Sequence, residues 1–279
     1  GFINTTGLVL LMHMNNETGE YERQVNESGV STDGLVLLMH FNNETGESER
    51  QVNESGVSTD GLVLLMHFNN ESGVGENDSL FYDFSSDVNS EGVNSSNGTC
   101  TSCPTYNLTN KKLGEGALYF NSKEVTISDS SSRIIETNDL AIAFWMQSTQ
   151  TGGHPAIMWA GPADDTWGIY LGHTSGCGDS NNVNWYVDDG PGANHCFSAT
   201  IKDGLWHHIA IVREAQTVYG YVDGTLIDSL SDTSNVGTDK LLLGRQTGTS
   251  NWYVGLLDEL AIWNRSLSSD EISELAGVK

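Results

Sequence analysis

Residues 203–230 read DGLWHHIAIVREAQTVYGYVDGTLIDSL, and this stretch decides the fold. It holds three apolar or alternating runs, Leu205–Val212, Val218–Val222 and Leu226–Leu230. The last two are separated by Asp223-Gly224, the two-residue signal of a tight hairpin, because both positions tolerate positive φ. Outward from it, short runs of the same kind recur between Gly, Asn, Asp and Ser turns: Ala117–Phe120, Leu140–Met146, Ala156–Ala160, Trp167–Leu171, Val183–Val187, Leu241–Gly244 and Trp252–Trp263 among them. Dense short strands joined by such turns predict an antiparallel sandwich. Ser268–Ala276 alone reads as a helix, with Ser268 or Ser269 as cap and Asp270 and Glu271 facing the positive end of its dipole.

The 279 residues carry 12 Lys and Arg against 37 Asp and Glu, a formal net charge of −25. No basic cluster longer than Lys111-Lys112 is present, so a nucleic-acid partner is excluded and an anionic membrane surface is disfavoured. The longest apolar runs fall far short of the roughly 20 residues that a membrane helix needs, so no membrane insertion is expected.

Particular strings narrow the class. Gly114–Phe120 (GEGALYF), Leu140–Met146 (LAIAFWM), Asp203–Arg213 (DGLWHHIAIVR), Tyr219–Gly224 (YGYVDG) and Gly255–Ile272 (GLLDELAIWNRSLSSDEI) occur in this order. Together they resemble the laminin-G-like, concanavalin A-like lectin/glucanase jelly-roll family over about residues 61–279. The resemblance implies an all-β antiparallel jelly-roll sandwich, here with an extended N-terminal strand arm and one short C-terminal helix. Trp145, Ile209, Ile211, Val218, Tyr219, Ile262 and Trp263 are then expected in the core.

A repeat precedes this domain. Gly7–Asp33 recurs as Gly34–Asp60 with two changes, Met14 to Phe41 and Tyr21 to Ser48, and a third copy starts at Gly61 and matches the second through Glu71. Each unit has one apolar run bounded by Gly and Asn-Asn, too short for a helix and read as a buried strand. Three such units cannot close a core of their own. The third copy resembles the family's first strand, which gives two domains: residues 1–60 as an arm and 61–279 as the jelly roll. The spare strands Leu8, Val9, Leu10, Leu11, Met12 and Leu35, Val36, Leu37, Leu38, Met39 can add to neighbouring subunits, and non-closing head-to-tail exchange builds a homopolymeric filament. The other expectation is a monomeric carbohydrate-binding or adhesion module on a glycosylated stalk.

Asn-X-Ser/Thr sequons crowd the first part of the chain, at Asn4, Asn16, Asn26, Asn43, Asn53, Asn70, Asn77, Asn94, Asn97 and Asn107, with Asn264 alone beyond it. The expected setting is secreted, extracellular or cell-surface, with N-linked glycans. Four cysteines form two local pairs, Cys100 with Cys103 and Cys177 with Cys196; a CxxC can also serve half a zinc site or a redox centre, but two disulfides fit an oxidising compartment.

No enzyme is expected. The chain lacks Glu-X-Asp-X-Glu, Glu-X-Asp-X-X-Glu and Gly-X-Ser-X-Gly strings, and the adjacent acids Asp164-Asp165, Asp188-Asp189 and Asp258-Glu259 fall on opposite strand faces or in loops. The family resemblance implies a structural Ca2+ held by Asp83 with Asp258 or Glu259. For a glycan ligand, Trp167, Trp185, Tyr186, Asp188 and Asp189 near the Cys177–Cys196 loop combine aromatic rings with hydrogen-bonding groups; Trp185 equally suits a cover for the disulfide.

Overall fold

The computed structural model of the chain describes residues 57–58, 60–70, 72, 76–81, 97–127, 139–161, 166–172, 182–188, 193–234, 236 and 240–278, together with the backbone of 11–12 and 38–39. The chain forms two compact units, Gly1–Ser48 and Glu49–Lys279. In the first, β1 (Leu11–Met12) pairs in parallel with β2 (Leu38–Met39), matching Leu11 to Leu38 and Met12 to Met39, equivalent positions of the repeat. The rest of the expected polymerisation strands, Leu8–Leu10 and Leu35–Leu37, lies outside the described residues. The second unit begins at Glu49 rather than at Gly61. Its leading segment docks on the end of the domain: Val57 is buried, and the Trp263 indole N–H and the Arg265 guanidinium donate to the Ser58 carbonyl.

The strands of this unit are β3 (Leu62–Met66), β4 (Leu80–Phe81), β5 (Gly98–Thr99), β6 (Thr105–Asn107), β7 (Ala117–Asn121), β8 (Val125–Ile127), β9 (Leu140–Gln147), β10 (Ala156–Ala160), β11 (Thr166–Leu171), β12 (Asn182–Asp188), β13 (Ala193–Ser198), β14 (Trp206–Glu214), β15 (Thr217–Val222), β16 (Thr225–Ser231), β17 (Leu241–Leu243) and β18 (Val254–Trp263). They form two antiparallel sheets. Sheet I runs β13-β12-β11-β10-β17-β8-β5-β4, and sheet II runs β16-β15-β14-β9-β18-β7-β6. The third repeat copy supplies β3, which completes sheet II: β18 is long enough to pair with β7 through Val254–Leu257 and with β3 through Leu260–Trp263 along the same flank. The hairpin read from the sequence is present, with Asp223 at φ 49° and Gly224 at φ 76° closing β15 onto β16. Two positive φ values match the right-handed twist of the strands they join.

Alternation along each strand fills the space between the sheets. Leu64, Met66, Ile142, Phe144, Met146, Ile209 and Ile211 of sheet II meet Ile157, Ile169, Trp185, Val187 and Phe197 of sheet I in one apolar core. Ile209, Ile211, Val218 and Ile262 lie in this core as expected. The opposite phase of sheet II, including Ala143, Ala210 and Trp263, packs under Ile272 and Leu275 of α1 (Ser269–Leu275). Tyr219 belongs to this outer layer and is only half-buried, and Trp145 also faces outward, against His208; both take the strand phase opposite to the core positions.

Ser268 caps α1: its hydroxyl accepts from the Glu271 N–H while the Glu271 carboxylate accepts from the Ser268 N–H, and Arg265 holds that same carboxylate. Ser268→Ala is expected to cost about 1 kcal/mol, measured by urea unfolding, because the helix covers an apolar face that would otherwise be wet.

Candidate functional site

Each sheet presents aromatic residues on its outer face, and exposure separates the two. On sheet I, Trp159 stacks on Tyr186 at 5.9 Å between ring centroids and meets Tyr170 edge-on at 6.0 Å, with Leu242 and Ala156 beside them. Trp159 and Tyr170 are 6% and 3% exposed, so this cluster is closed. Of the residues expected to bind a ligand whose side chains are described, Tyr186 alone is placed on this face. Trp167 and Trp185 point the other way, into the core between the sheets, stacked at 5.3 Å. The alternation of β12 requires this, since Val183, Trp185 and Val187 share one phase and Tyr186 takes the other. Asp188 ends β12, and Asp189 lies outside the described residues.

On sheet II one cross-strand row stays open. The register aligns Trp206 of β14 with Gln147 of β9, Gln147 with Leu256 of β18, Leu256 with Tyr119 of β7, and Tyr119 with Thr105 of β6. Each side chain has the phase opposite to a core neighbour, so the row faces outward. Tyr119 is exposed and Trp206 and Gln147 are half-exposed. An amide chain holds the row in place: the Trp206 indole N–H donates to Asn110 Oδ1 at 3.1 Å, the Asn110 amide donates to Gln147 Oε1, and Gln147 Nε2 donates to the Gly204 carbonyl at 2.7 Å. Leu205 and Leu108, 63% and 56% exposed, flank it. The arrangement joins aromatic faces to amides that both donate and accept, on a scaffold of five hydrogen-bonded strands.

Beneath this row the chemistry turns electrostatic. His208 lies 5.1 Å from Trp145, whose ring also carries the Lys112 ammonium at 4.1 Å. Burial pushes the His208 imidazole down to about 4, so it is neutral at pH 7. His207 takes the inward phase at the sheet's end, and both of its ring nitrogens meet carboxylates, Asp223 at 2.8 Å and Asp203 at 3.0 Å. Burial favours its neutral form, but the two hydrogen-bonded carboxylates outweigh this and raise its pKa. Both histidines are therefore structural in their surroundings, although alternation alone turns at most one of them inward.

The adjacent acids Asp258 and Glu259 are both buried because β18 bulges there, with Glu259 at φ 49°. Alternation read from the sequence placed them on opposite faces; the bulge cancels that rule locally. Asp258 accepts backbone N–H groups from Lys112, Leu113 and Glu259. Burial, and then the Glu259 charge, push its carboxyl well above the usual range. Glu259 holds His67 Nδ1 at 2.8 and 2.9 Å. A carboxylate only accepts, so that nitrogen carries the proton. These oxygens are thus engaged by protein donors, and Asp83 lies outside the described residues. Among the described residues no group of three or more Asp, Glu, His or Cys is placed to hold an ion. The described residues do not assemble the Ca2+ site that the resemblance implies.

Cys100 and Cys103 form a disulfide, as expected, and Cys196 is disulfide-bonded; Cys177 lies outside the described residues. Of the sequons, Asn70, Asn77 and Asn264 are exposed and Asn97 and Asn107 half-exposed, while Asn4, Asn16, Asn26, Asn43, Asn53 and Asn94 lie outside the described residues. No helix among the described residues is long and apolar enough to cross a membrane.

Neither Trp206 nor Tyr119 was singled out by the sequence reading as a binding residue. The signal was present in phase: in Leu205–Val212 the core positions are 209 and 211, which leaves Trp206 as the large aromatic residue on the opposite face.

Residues 117–273, more than half of the chain, match the sequence profile of the concanavalin A-like lectin/glucanases superfamily. No curated protein sequence matches the chain. Among solved structures it is similar to domain 4 of AbnA, a GH43 extracellular arabinanase from Geobacillus stearothermophilus in complex with arabinotriose, at 21% identity and a TM-score of 0.57, covering 77% of this chain and 98% of that one. It is also similar to the binding domain of Paraclostridial Mosquitocidal Protein 1, at 18% identity and a TM-score of 0.58, covering 78% and 52%. The receptor binding domain of Botulinum neurotoxin type G is similar at 15% identity and a TM-score of 0.58, covering 78% and 51%, so the chain spans about half of these toxin domains.

Proposed function

Because this chain belongs to the concanavalin A-like lectin/glucanases superfamily, we propose that its Glu49–Lys279 unit is a glycan-binding module that engages saccharides on the outer face of sheet II. The observation that carries this reading is the open Trp206–Gln147–Tyr119 row, held by Asn110. An aromatic face takes the apolar side of a pyranose or furanose ring, and the amides of Asn110 and Gln147 bond its hydroxyls. Support comes from the neighbours too: the arabinanase domain is solved with arabinotriose, and a related toxin binding domain with SialylT. The toxin neighbours are binding domains, and the reading assigns this unit recognition rather than hydrolysis. The sequons and the disulfide fit a module that works outside the cell, carrying N-linked glycans of its own.

Donor-strand polymerisation, the other expectation, rests on the repeat. The pairing of β1 with β2 offers the duplicated strands a partner inside their own chain, so the filament reading is the weaker of the two. Ca2+ stands outside the proposal, since the described residues do not assemble its site.

The test is an immobilised oligosaccharide panel, including arabinan fragments and sialylated glycans, followed by calorimetry on any hit. Trp206→Ala is expected to weaken binding at least 10-fold, which corresponds to about 1.4 kcal/mol, with little change in Tm because the ring is half-exposed. Absence of binding across the panel, or binding that Trp206→Ala and Tyr119→Ala leave intact, removes this site.

A further inference from the structure

The slot that holds β3 is specified by a sequence the chain carries twice. Residues 22–44 and 49–71 are identical at all 23 positions, from Glu22 and Glu49 to Glu44 and Glu71. The compact unit begins at Glu49, where this identity begins.

The described contacts of this segment run from Val57 to Asn69. Val57 is buried under sheet II, the Ser58 and Asp60 carbonyls accept from Arg265, and the Asn264 N–H donates to the Gly61 carbonyl. Leu64 and Met66 are fully buried between the sheets, while β3 pairs with Leu260–Trp263. Beyond the strand, His67 bonds Glu259, and Asn69 Oδ1 accepts from the Glu115 N–H at 2.7 Å. Val30, Ser31, Leu37, Met39, His40 and Asn42 stand at the equivalent positions of 22–44. The first copy does not match as far, because Met14 replaces the fully buried Phe68 and residues 1–6 differ from 55–60 at five of six positions.

We propose that residues 22–44 of the same chain occupy the β3 slot as a minor conformer, with 49–71 released in their place. Since the two segments are identical, the side-chain contacts and the ladder within the slot are the same in both forms, and the strand left outside offers β1 the same Leu-Met pair, Leu65-Met66 in place of Leu38-Met39. What differs is the loop to the next anchored residue, the buried Glu76. It is 72–75 in the major form and 45–75 in the minor one, 4 against 31 residues. Loop closure scales as length to the power of about three halves, which favours the major form by roughly 20-fold. A tether of this length keeps the second segment at millimolar effective concentration, so the occupant comes from the same chain rather than from another. This conformer is independent of the glycan reading, because Trp206, Gln147 and Tyr119 lie on strands that the exchange leaves in place.

The experiment uses the full chain with aspartate placed at equivalent core positions. Leu37→Asp is expected to leave Tm unchanged. Leu64→Asp blocks the major form, and rescue by 22–44 limits its cost to the roughly 20-fold factor, a fall of about 5 °C, with near-UV circular dichroism retained and a monomer by light scattering. Leu10→Asp/Leu37→Asp/Leu64→Asp removes every tenant and abolishes the cooperative transition. Equal stability of the single Leu64→Asp and triple variants, whether both fold or both fail, overturns the proposal. So does a Leu64→Asp chain that folds only as a dimer or larger species, which places the occupant in a second copy.

Discussion

Asp232→Ala lowers the stability of the Glu49–Lys279 unit by about 3–5 kcal/mol, the cost expected when one partner of a buried charge network is removed. Asp232 follows β16 in sheet II, yet its Oδ2 accepts the indole N–H of Trp185 from sheet I at 3.0 Å and lies 3.5 Å from His195 Nε2 of the same sheet. Its Oδ1 accepts the Ser234 N–H, and its backbone carbonyl accepts from Arg213 of β14, a guanidinium with no exposed surface. One residue thus fastens both sheets at the β13–β16 end of the sandwich. Alanine leaves the Trp185 N–H without this acceptor and strips the nearby buried cation of the charge that compensates it. Asp232→Asn keeps part of the hydrogen bonding and falls between, which guanidinium unfolding monitored by tryptophan fluorescence resolves.

The same residue gives the stability a pH signature. Burial raises the Asp232 pKa, but the His195 imidazole 3.5 Å away and the hydrogen bonds from Ser234 and Trp185 outweigh it and hold the carboxyl far below its ordinary value. A depressed folded pKa contributes stability that is complete above the unfolded value, about 3.9, and is lost as pH falls below it toward the folded pKa. The wild-type and Asp232→Ala curves therefore run at a constant gap above about pH 4 and converge as pH falls below it. A constant gap between pH 2 and pH 7 rejects this account.

Gly220→Val costs about 3 kcal/mol or more, through overpacking rather than lost charge. Gly220 sits on β15 facing the core, and a Cβ there would lie 2.2–2.6 Å from three atoms of the Phe197 ring. Phe197 is 1% exposed on β13 of the opposite sheet and belongs to the core, so moving the ring means repacking its neighbours. The β15 backbone lies directly against this ring, and any side chain at residue 220 collides with it. Phe197→Leu in a Gly220→Ala background recovers part of the loss, since it removes ring atoms from the contact. If Gly220→Val changes stability by less than about 0.5 kcal/mol in urea, a typical surface effect, the close approach is not what fixes this glycine.

Much of the fold was legible because strands have a period of two and hairpins have turn chemistry. Asp223-Gly224, the apolar phase of Leu205–Val212 and the cap at Ser268 each carry their instruction within a few neighbouring residues. The binding face was legible only in part. Composition drew attention to Trp167 and Trp185, yet an indole on a strand is core or platform according to which phase meets the other sheet, and in β12 Val183 and Val187 bind Trp185 to the core phase. Trp206 passed unnoticed for the converse reason: its partners Gln147, Asn110 and Tyr119 come from three distant segments that only the sheet register brings together.

The sequence by itself determined that this is an antiparallel sandwich with a capped C-terminal helix, and that one strand-forming segment is written more than once. Both facts are local or internal, so no third dimension is needed to read them. Only the tertiary structure showed that the docked stretch starts ahead of Gly61, because Val57 and Ser58 find their partners on Trp263 and Arg265 some 200 residues later. It also decided that Asp258 and Glu259 are buried together. A bulge with positive φ at Glu259 overrides alternation, and nothing adjacent in the chain announces it.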